Sequence, residues 1–447
     1  MHSRLLLLLL FNFIFSQSYY ESAIGRSFDS HTARSLSLSS SSQITETTGF
    51  SILFNPSNLS KGKELGLSLT GSNISDSRFE RRGLIVKDSF GDFLAESDYV
   101  KNSSIFNYSS ISIKYNKIIF NYLNAGLGLS FSPYRTFDFS YIEEVRGQLS
   151  SNDGQVFSRD PLLGYHRFSC KGSQKVLGLG SSIAFETNSN IEGAVGLSFN
   201  SILSGDILES SNVDTSLVIG IIVTEDSNKL SSLPDYNVNY SLGSSNFVVI
   251  GTNITYDKYL FSLAYQSGTN IDKSISNEDE ELLNSIAESY QSNDLGSNIF
   301  DFHKTIKTSK IEVPQKISMG FSILDNDYNG YSLILNYELN NYSLNSLKSN
   351  NRLSLGVEHY TINGVPLRFS IGYKQSVFSP YISSITSFSG GSSFKYKNFI
   401  FDYALQYQHS RYNYPDLFLV EGEFRPDLDI VNDSNLIFLG TLTYSFN

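Results

Sequence analysis

From residue 245 to the C-terminus, apolar and polar side chains alternate with a period of two, segment after segment. Phe399, Phe401, Tyr403, Leu405 and Tyr407 fall on one face of a run whose other face carries Asp402, Ala404, Gln406 and Gln408. The last segment sets Leu436, Phe438, Leu442, Tyr444 and Phe446 against Thr441, Thr443 and Ser445. Tyr259, Phe261, Leu263 and Tyr265 oppose Ser262, Ala264 and Gln266; Tyr331, Leu333, Leu335, Tyr337 and Leu339 oppose Ser332, Asn336 and Glu338. Leu353, Leu355 and Val357 oppose Arg352, Ser354, Gly356 and Glu358. Successive side chains of a strand point to opposite faces, so this pattern predicts strands with one apolar and one polar side. Each run is about 10–13 residues, longer than the ~5–6 of ordinary strands and close to the ~9–11 that cross a bilayer at a tilt.

A water-soluble sandwich also alternates, and the connections separate the two cases. Short links fall at Tyr256-Asp257-Lys258, Asp325-Asn326-Asp327, Asn363-Gly364 and Lys397-Asn398. Longer ones fall at 269–311, 342–350, 377–384 and 410–433. Tight turns at one end and long loops at the other is the layout of a bacterial outer-membrane barrel, and a sandwich has no reason to keep that parity. Before residue 245, candidate strands lie at 61–72, 106–116, 118–131, 135–148, 175–187, 190–202 and 212–225, while 149–172 fits no pattern. Gly126, Gly128 and Ser130 sit opposite Leu127, Leu129 and Phe131, and Gly196, Ser198 and Asn200 opposite Val195, Leu197 and Phe199, as a small, polar lumen face would require. In lipid every backbone group must be bonded within the wall, so the strands must close. The expected fold is all-β: a transmembrane antiparallel β-barrel of about 14 strands, between roughly 12 and 16.

Composition agrees. Of 447 residues, 17% are charged and 14% aromatic, with 33 Phe, 28 Tyr and no Trp; the charge is low for a wholly water-facing surface of this size. A mean hydropathy of −0.15 excludes a helical membrane bundle. The net charge of −11 speaks against nucleic acid as a partner. At the N-terminus, Arg4 followed by Leu5–Leu10, Phe11, Phe13, Ile14 and Phe15, then Ser16-Gln17-Ser18, reads as a secretory signal over 1–18. Cys170 is the single cysteine, which rules out an intrachain disulfide framework.

Residues 19–60 do not alternate. They are small and polar, with Phe28, Phe50 and Phe54 scattered through them, and expected to be either a periplasmic tail or a plug ahead of a barrel spanning 61–447. Ala33-Arg34-Ser35-Leu36-Ser37-Leu38, followed by Phe54-Asn55-Pro56-Ser57-Asn58-Leu59, resembles the N-terminal hatch of the FadL/TodX outer-membrane transport family and its PorV-like relatives. That pattern reads A-R-x-L-x-L followed by Y-N-P-A-G/N-L; Asn55, Pro56 and Leu59 match it, Ser57 stands for the usual Ala and Phe54 for the common Tyr. Val313–Phe321 resembles the family's strand entry, and Arg352–Tyr360 with Pro366–Tyr373 its hairpin. The resemblance implies a 14-strand barrel plugged by its N-terminal hatch, through which hydrophobic molecules of the fatty-acid or aromatic-hydrocarbon type pass inward without ATP. Phe28, Phe50 and Phe54 are then the candidate ligand contacts. The alternative it leaves open is a PorV-like role in holding a secreted or surface-attached protein partner. On either reading the chain sits in the outer membrane of a Gram-negative bacterium, in contact with lipid and lipopolysaccharide.

One register inference is independent of the resemblance. Arg352, Glu358, Arg368 and Lys374 share the polar face of two consecutive strands only if the link at Asn363-Gly364 has an odd number of residues; a two-residue turn would put Glu358 opposite Phe369. Three or five residues are expected, with the four charges as neighbours in the lumen. The acidic stretch 277–291 carries Leu282, Leu283, Ile286, Ala287 and Tyr290 at helical spacing, in the longest expected external loop. Glu421, Glu423, Asp427, Asp429 and Asp433 gather in another loop, with no calcium-loop spacing. No nucleophile elbow, zinc motif or phosphate-binding glycine loop occurs, and His409-Ser410 alone makes no catalytic site. Neither enzyme activity, a metal nor a cofactor is expected.

Overall fold

The computed structural model describes residues 19–61, 66–120, 122–146, 162–186, 191–214, 235–290, 307, 310–324, 330–343, 347–379, 381–414 and 428–446. The expected signal, most of candidate strand 212–225, the turn at Asp325–Asp327 and the acidic residues Glu421, Glu423 and Asp427 lie outside them.

Fourteen antiparallel strands form a closed ring. In chain order they are β1 (Gly66–Lys87), β2 (Phe93–Phe120), β3 (Leu123–Thr136), β4 (Leu162–Glu186), β5 (Ile191–Ile202), β6 (Ser245–Tyr256) and β7 (Tyr259–Gln266). The second half comprises β8 (Gln315–Leu324), β9 (Tyr331–Asn341), β10 (Asn350–Tyr360), β11 (Pro366–Lys374), β12 (Ile385–Tyr396), β13 (Phe399–Tyr414) and β14 (Asp429–Phe446). Each pairs with its neighbours, and β14 returns to β1 in unbroken register from Phe446↔Leu67 to Ile430↔Gly83. Closure leaves no edge running the length of the wall.

The alternation predicted from sequence becomes an inside and an outside. On β13, Leu405 is 48% exposed, while Ala404 and Gln406 are 0% and 1% exposed. Phe199, Ile250, Phe261, Met319 and Phe388 face outward in the same way from five other strands. Leaving such a side chain in water costs about 1.5–3 kcal/mol relative to covering it. A belt of them around a cylinder is stable only against lipid, which places the barrel in an outer membrane with its loop end outward.

The hairpin at Asn363-Gly364 has Tyr360 paired with Pro366, a five-residue link, with Gly364 at φ +74°. Glu358 therefore faces Arg368, and Arg352 faces Lys374, as the parity argument requires.

In the N-terminal half the strands differ from those read in the sequence. β1 and β2 continue through 73–105, which carried no hydropathy alternation because Asp76, Arg78, Glu80 and Arg82 occupy the inward face. Phe139–Arg146 and Gly205–Asp214 are strands, near two of the expected ones, but they stand outside the ring. With the first half of β4 and Tyr236–Leu242 they form a second sheet at the loop end. The unpatterned 149–172 thus includes the start of a 25-residue strand that serves both sheets. The acidic stretch forms a helix, Asn277–Tyr290.

Candidate functional site: a cavity between the hatch and the wall

Residues 19–61 lie along the inner face of the wall as short helical turns and one two-residue strand, Arg26–Ser27. Two kinds of contact hold them. Against β3 to β6 the wall offers glycines: a Cβ on Gly128 or Gly180 would overlap Ile52 or Leu59, one on Gly196 the Pro56 backbone, and one on Gly251 the Asn55 side chain. Asn55 caps the Pro56–Ser60 turn by accepting from the Ser57 amide, and its own Nδ2 donates to Ser262 Oγ (2.8 Å). Pro56 occupies the first position of that turn, where the missing N–H is no loss.

Against β10 to β13 the contacts are ionic. Arg34 pairs with Glu358 (2.8 Å), Glu358 with Arg368 (2.8 Å), and Arg368 with Asp402 (2.7 Å). Arg352 and Lys374 both reach Asp29 (3.0 and 3.2 Å). Burial alone would raise the Asp29 carboxyl, but Lys374, Arg352 and Lys316 outweigh it and hold it well below the ordinary carboxylate range. All four charges singled out in the sequence therefore bind the hatch or one another.

At one place the ring's ladder is incomplete. β2 and β3 pair from Phe120↔Leu123 to Ile111↔Phe131, and no further. Pro133 interrupts the alternation, and a register shift follows between Pro133 and Arg135 on the β4 side. Above that point the free edge of β3 pairs with the hatch: Thr136 with Arg26 and Arg135 with Ser27. Side chains bridge the resulting seam. Tyr108 on β2 bonds Thr136 Oγ1 and Asp138 Oδ2 (both 2.7 Å), and Ile142 N donates to Asn102 Oδ1 (2.9 Å). Phe28 closes the seam from within, its ring edge-on to Tyr108 at 5.1 Å.

Behind the seam lies a cavity of about 140 Å³. Phe28, Leu53, Phe54, Tyr134, Phe247 and Ile382 supply much of its apolar lining, Arg26, Arg135, Lys316 and Lys374 its cations, and Glu21, Asp29 and Asp433 its carboxylates; Arg26 is paired with Asp76. Lys374 is paired with Asp29. Among the described residues Arg135 is paired with no carboxylate: it donates to the carbonyls of Ile24 (2.8 Å) and Glu312 (2.6 Å), and its Nε has no partner. Lys316 acts on Asp29 through space without making a direct ion pair among the described residues. His31 borders the same space, its ring 5.4 Å from Phe50 and 5.9 Å from Phe54; burial pushes its pKa down to about 3 against the opposing pull of Asp29.

Of the three phenylalanines named from sequence, Phe28 and Phe54 line the cavity, whereas Phe50 is fully buried against His31 behind it. Arg135 and Lys316 were not singled out, and Pro133 was the one sequence signal that a strand is disturbed beside them. Tyr20 was also missed. It is fully buried among Phe378, Tyr381, Tyr412 and Tyr414, with ring centroids 5.2–6.3 Å apart, and ties the start of the hatch to the loop end.

No family model and no curated protein sequence matches the chain. Among solved structures, a Pseudomonas aeruginosa FadL homologue superposes with a TM-score of 0.53 at 11% identity, covering 95% of this chain and 100% of that one. The P. putida toluene transporter TodX gives 0.46 at 12% identity, over 94% and 99% of the two chains. The fold is FadL-like.

Proposed function

We propose that this protein is an outer-membrane channel that admits hydrophobic small molecules from the outer leaflet, through the seam between β2 and β3, into the cavity behind Phe28. The FadL homologue supports the architecture, and the reading itself rests on the cavity. A pocket with one apolar, aromatic side and one polar, charged side, set beside a break in a lipid-facing wall, gives an amphiphilic solute a route that keeps its apolar part out of water. Within that class the lining favours an amphiphile bearing one carboxylate, such as a long-chain fatty acid, over a neutral arene. The observation that carries this is Arg135, a buried guanidinium lining the cavity that makes no ion pair among the described residues. A buried charge of this kind gains from an anionic guest, through charge-assisted hydrogen bonds that a hydrocarbon cannot make.

The test is uptake by proteoliposomes of labelled oleate and of labelled toluene. Wild-type protein should move oleate faster than empty vesicles do. Arg135→Gln with Lys316→Gln should lower oleate uptake about tenfold, the loss of one to two kcal/mol of charge-assisted binding, and leave toluene unchanged. Equal loss for both solutes removes the carboxylate preference; no uptake of either above empty vesicles removes the channel.

A further inference from the structure

The outer surface of the wall is not uniform at its loop end. Lys101 on β2 is paired across the sheet with Arg81 on β1, Arg81 with Asn432 on β14, and Asn432 with Arg411 on β13. These four residues form one row across four adjacent strands. Lys101, Arg81 and Arg411 are exposed, while their neighbours Arg82 and Tyr412 are buried on the inside. Two steps toward the bilayer the row is Ser103, Phe79, Ser434 and His409; two steps further it is Ile105, Ser77, Leu436 and Tyr407, where the apolar belt begins. On the far side of the barrel the outward residues at the loop-side strand ends are amides: Gln315, Asn341, Asn351 and Gln375. Lys101, Arg81 and Arg411 thus form one continuous row, whereas other exposed cations toward this end, Lys171 and Lys175 on β4 and Lys348 in the link between β9 and β10, stand apart from it, in a protein whose net charge is −11.

Internal partners offset only part of this charge. Asp98 approaches Arg81 at 3.4 Å and Glu96 meets Arg411 at 2.7 Å, but Lys101 has no carboxylate partner among the described residues. All three side chains can swing on long stems to the headgroup level just above the belt. Three interstrand spacings separate Lys101 from Arg411, about 14 Å.

We infer that this row is a binding site for the phosphorylated glycolipid of the outer leaflet, with Lys101 and Arg411 taking the two phosphates of a bisphosphorylated disaccharide and Arg81 lying between them. The position decides for that lipid over a glycerophospholipid. The row lies on the loop side, which faces outward, and its span suits two phosphates at opposite ends of two sugar rings better than one phosphodiester. The acyl chains would then lie against Phe79, Ile105 and Tyr407. The inference rests on the barrel standing with its loops outward and is independent of what the channel carries.

The experiment uses the full chain, purified in detergent free of glycolipid and exposed to bisphosphorylated lipid A, monophosphorylated lipid A or phosphatidylglycerol. Bound lipid is counted by native mass spectrometry. Wild type should retain the bisphosphorylated form at least about tenfold more tightly than K101Q/R81Q/R411Q, since each such cation is worth about 1 kcal/mol at a charged lipid surface. The charge-matched control K117Q/K395Q/K397Q, at the turn end, should bind as wild type does. Folding of each variant is checked by heat-modifiable gel mobility. Should the triple variant not fold, K101Q alone and the loss of binding to monophosphorylated lipid A by wild type carry the test. Equal retention by variant and wild type, or of phosphatidylglycerol and lipid A by wild type, overturns the inference.

Discussion

Leu59 of the hatch occupies the space that a side chain on Gly128 of the wall would need: a Cβ built on that glycine falls within overlap of Leu59 Cδ2 and 3.0 Å from Ile52 Cγ2. The hatch is thus seated by the absence of side chains on β3 as much as by its own apolar residues. Gly128→Val should unseat it, with a cost of about 1–3 kcal/mol for overpacking. The expected outcome is a barrel that still folds and shifts on heating in gels but conducts ions in planar bilayers at several times the wild-type level. An unchanged conductance would mean that the wall, and not this contact, keeps the lumen shut.

The seam between β2 and β3 is closed by side chains and by the hatch in place of a ladder, so it can open without breaking backbone pairing in the wall. Tyr108→Cys with Thr136→Cys, made in a Cys170→Ser background, places two thiols across it. A short bifunctional thiol reagent should then lower oleate uptake at least about tenfold, since a shut seam removes the route; the factor corresponds to about 1.4 kcal/mol. Reductant should restore it when the linker contains a disulfide. Uptake that ignores the cross-link would direct the substrate path through the loop end instead.

How much of this was legible in the sequence depended on whether a residue's neighbours are local. Strands β6 to β14 were readable because one face meets lipid and the other a polar lumen, which writes period two directly into hydropathy. The upper parts of β1 and β2 were not. There the inner face carries Asp76, Arg78, Glu80 and Arg82 and the outer face rises above the apolar belt, so both sides are polar. The Asn55-Pro56 signature was legible for a local reason: Asn55 caps the turn that Pro56 begins. Parity alone placed Glu358 beside Arg368, but nothing in the sequence placed Arg34 beside them. Arg135 and Lys316 escaped notice because ring closure, and not sequence spacing, brings both to the cavity.

His31 should give the hatch an acid sensitivity distinct from that of its ion pairs. Unfolded, the imidazole titrates near 6.5; in place, burial among Phe28, Phe50 and Phe54 brings its pKa down to about 3. A depressed folded-state value means that the stabilisation of the neutral ring is complete above pH 6.5 and is lost progressively as pH falls toward 3. The slope is half its full value at pH 6.5 and approaches about 1.4 kcal/mol per pH unit below it, so seating of the hatch should weaken by roughly 2 kcal/mol between pH 6.5 and 4.5. Asp29 adds little in this window, because Lys374, Arg352 and Lys316 keep it ionised well below it. Hydrogen exchange of the hatch amides, corrected for the intrinsic pH dependence of exchange, should therefore show more frequent opening at pH 4.5 than at pH 7.5 in the wild type. His31→Phe, which keeps an aromatic ring of similar size among the same three neighbours, should flatten that dependence. If the variant opens with the same pH slope, the sensitivity belongs to the carboxylates around Arg34 and Arg368, and His31 is only packing.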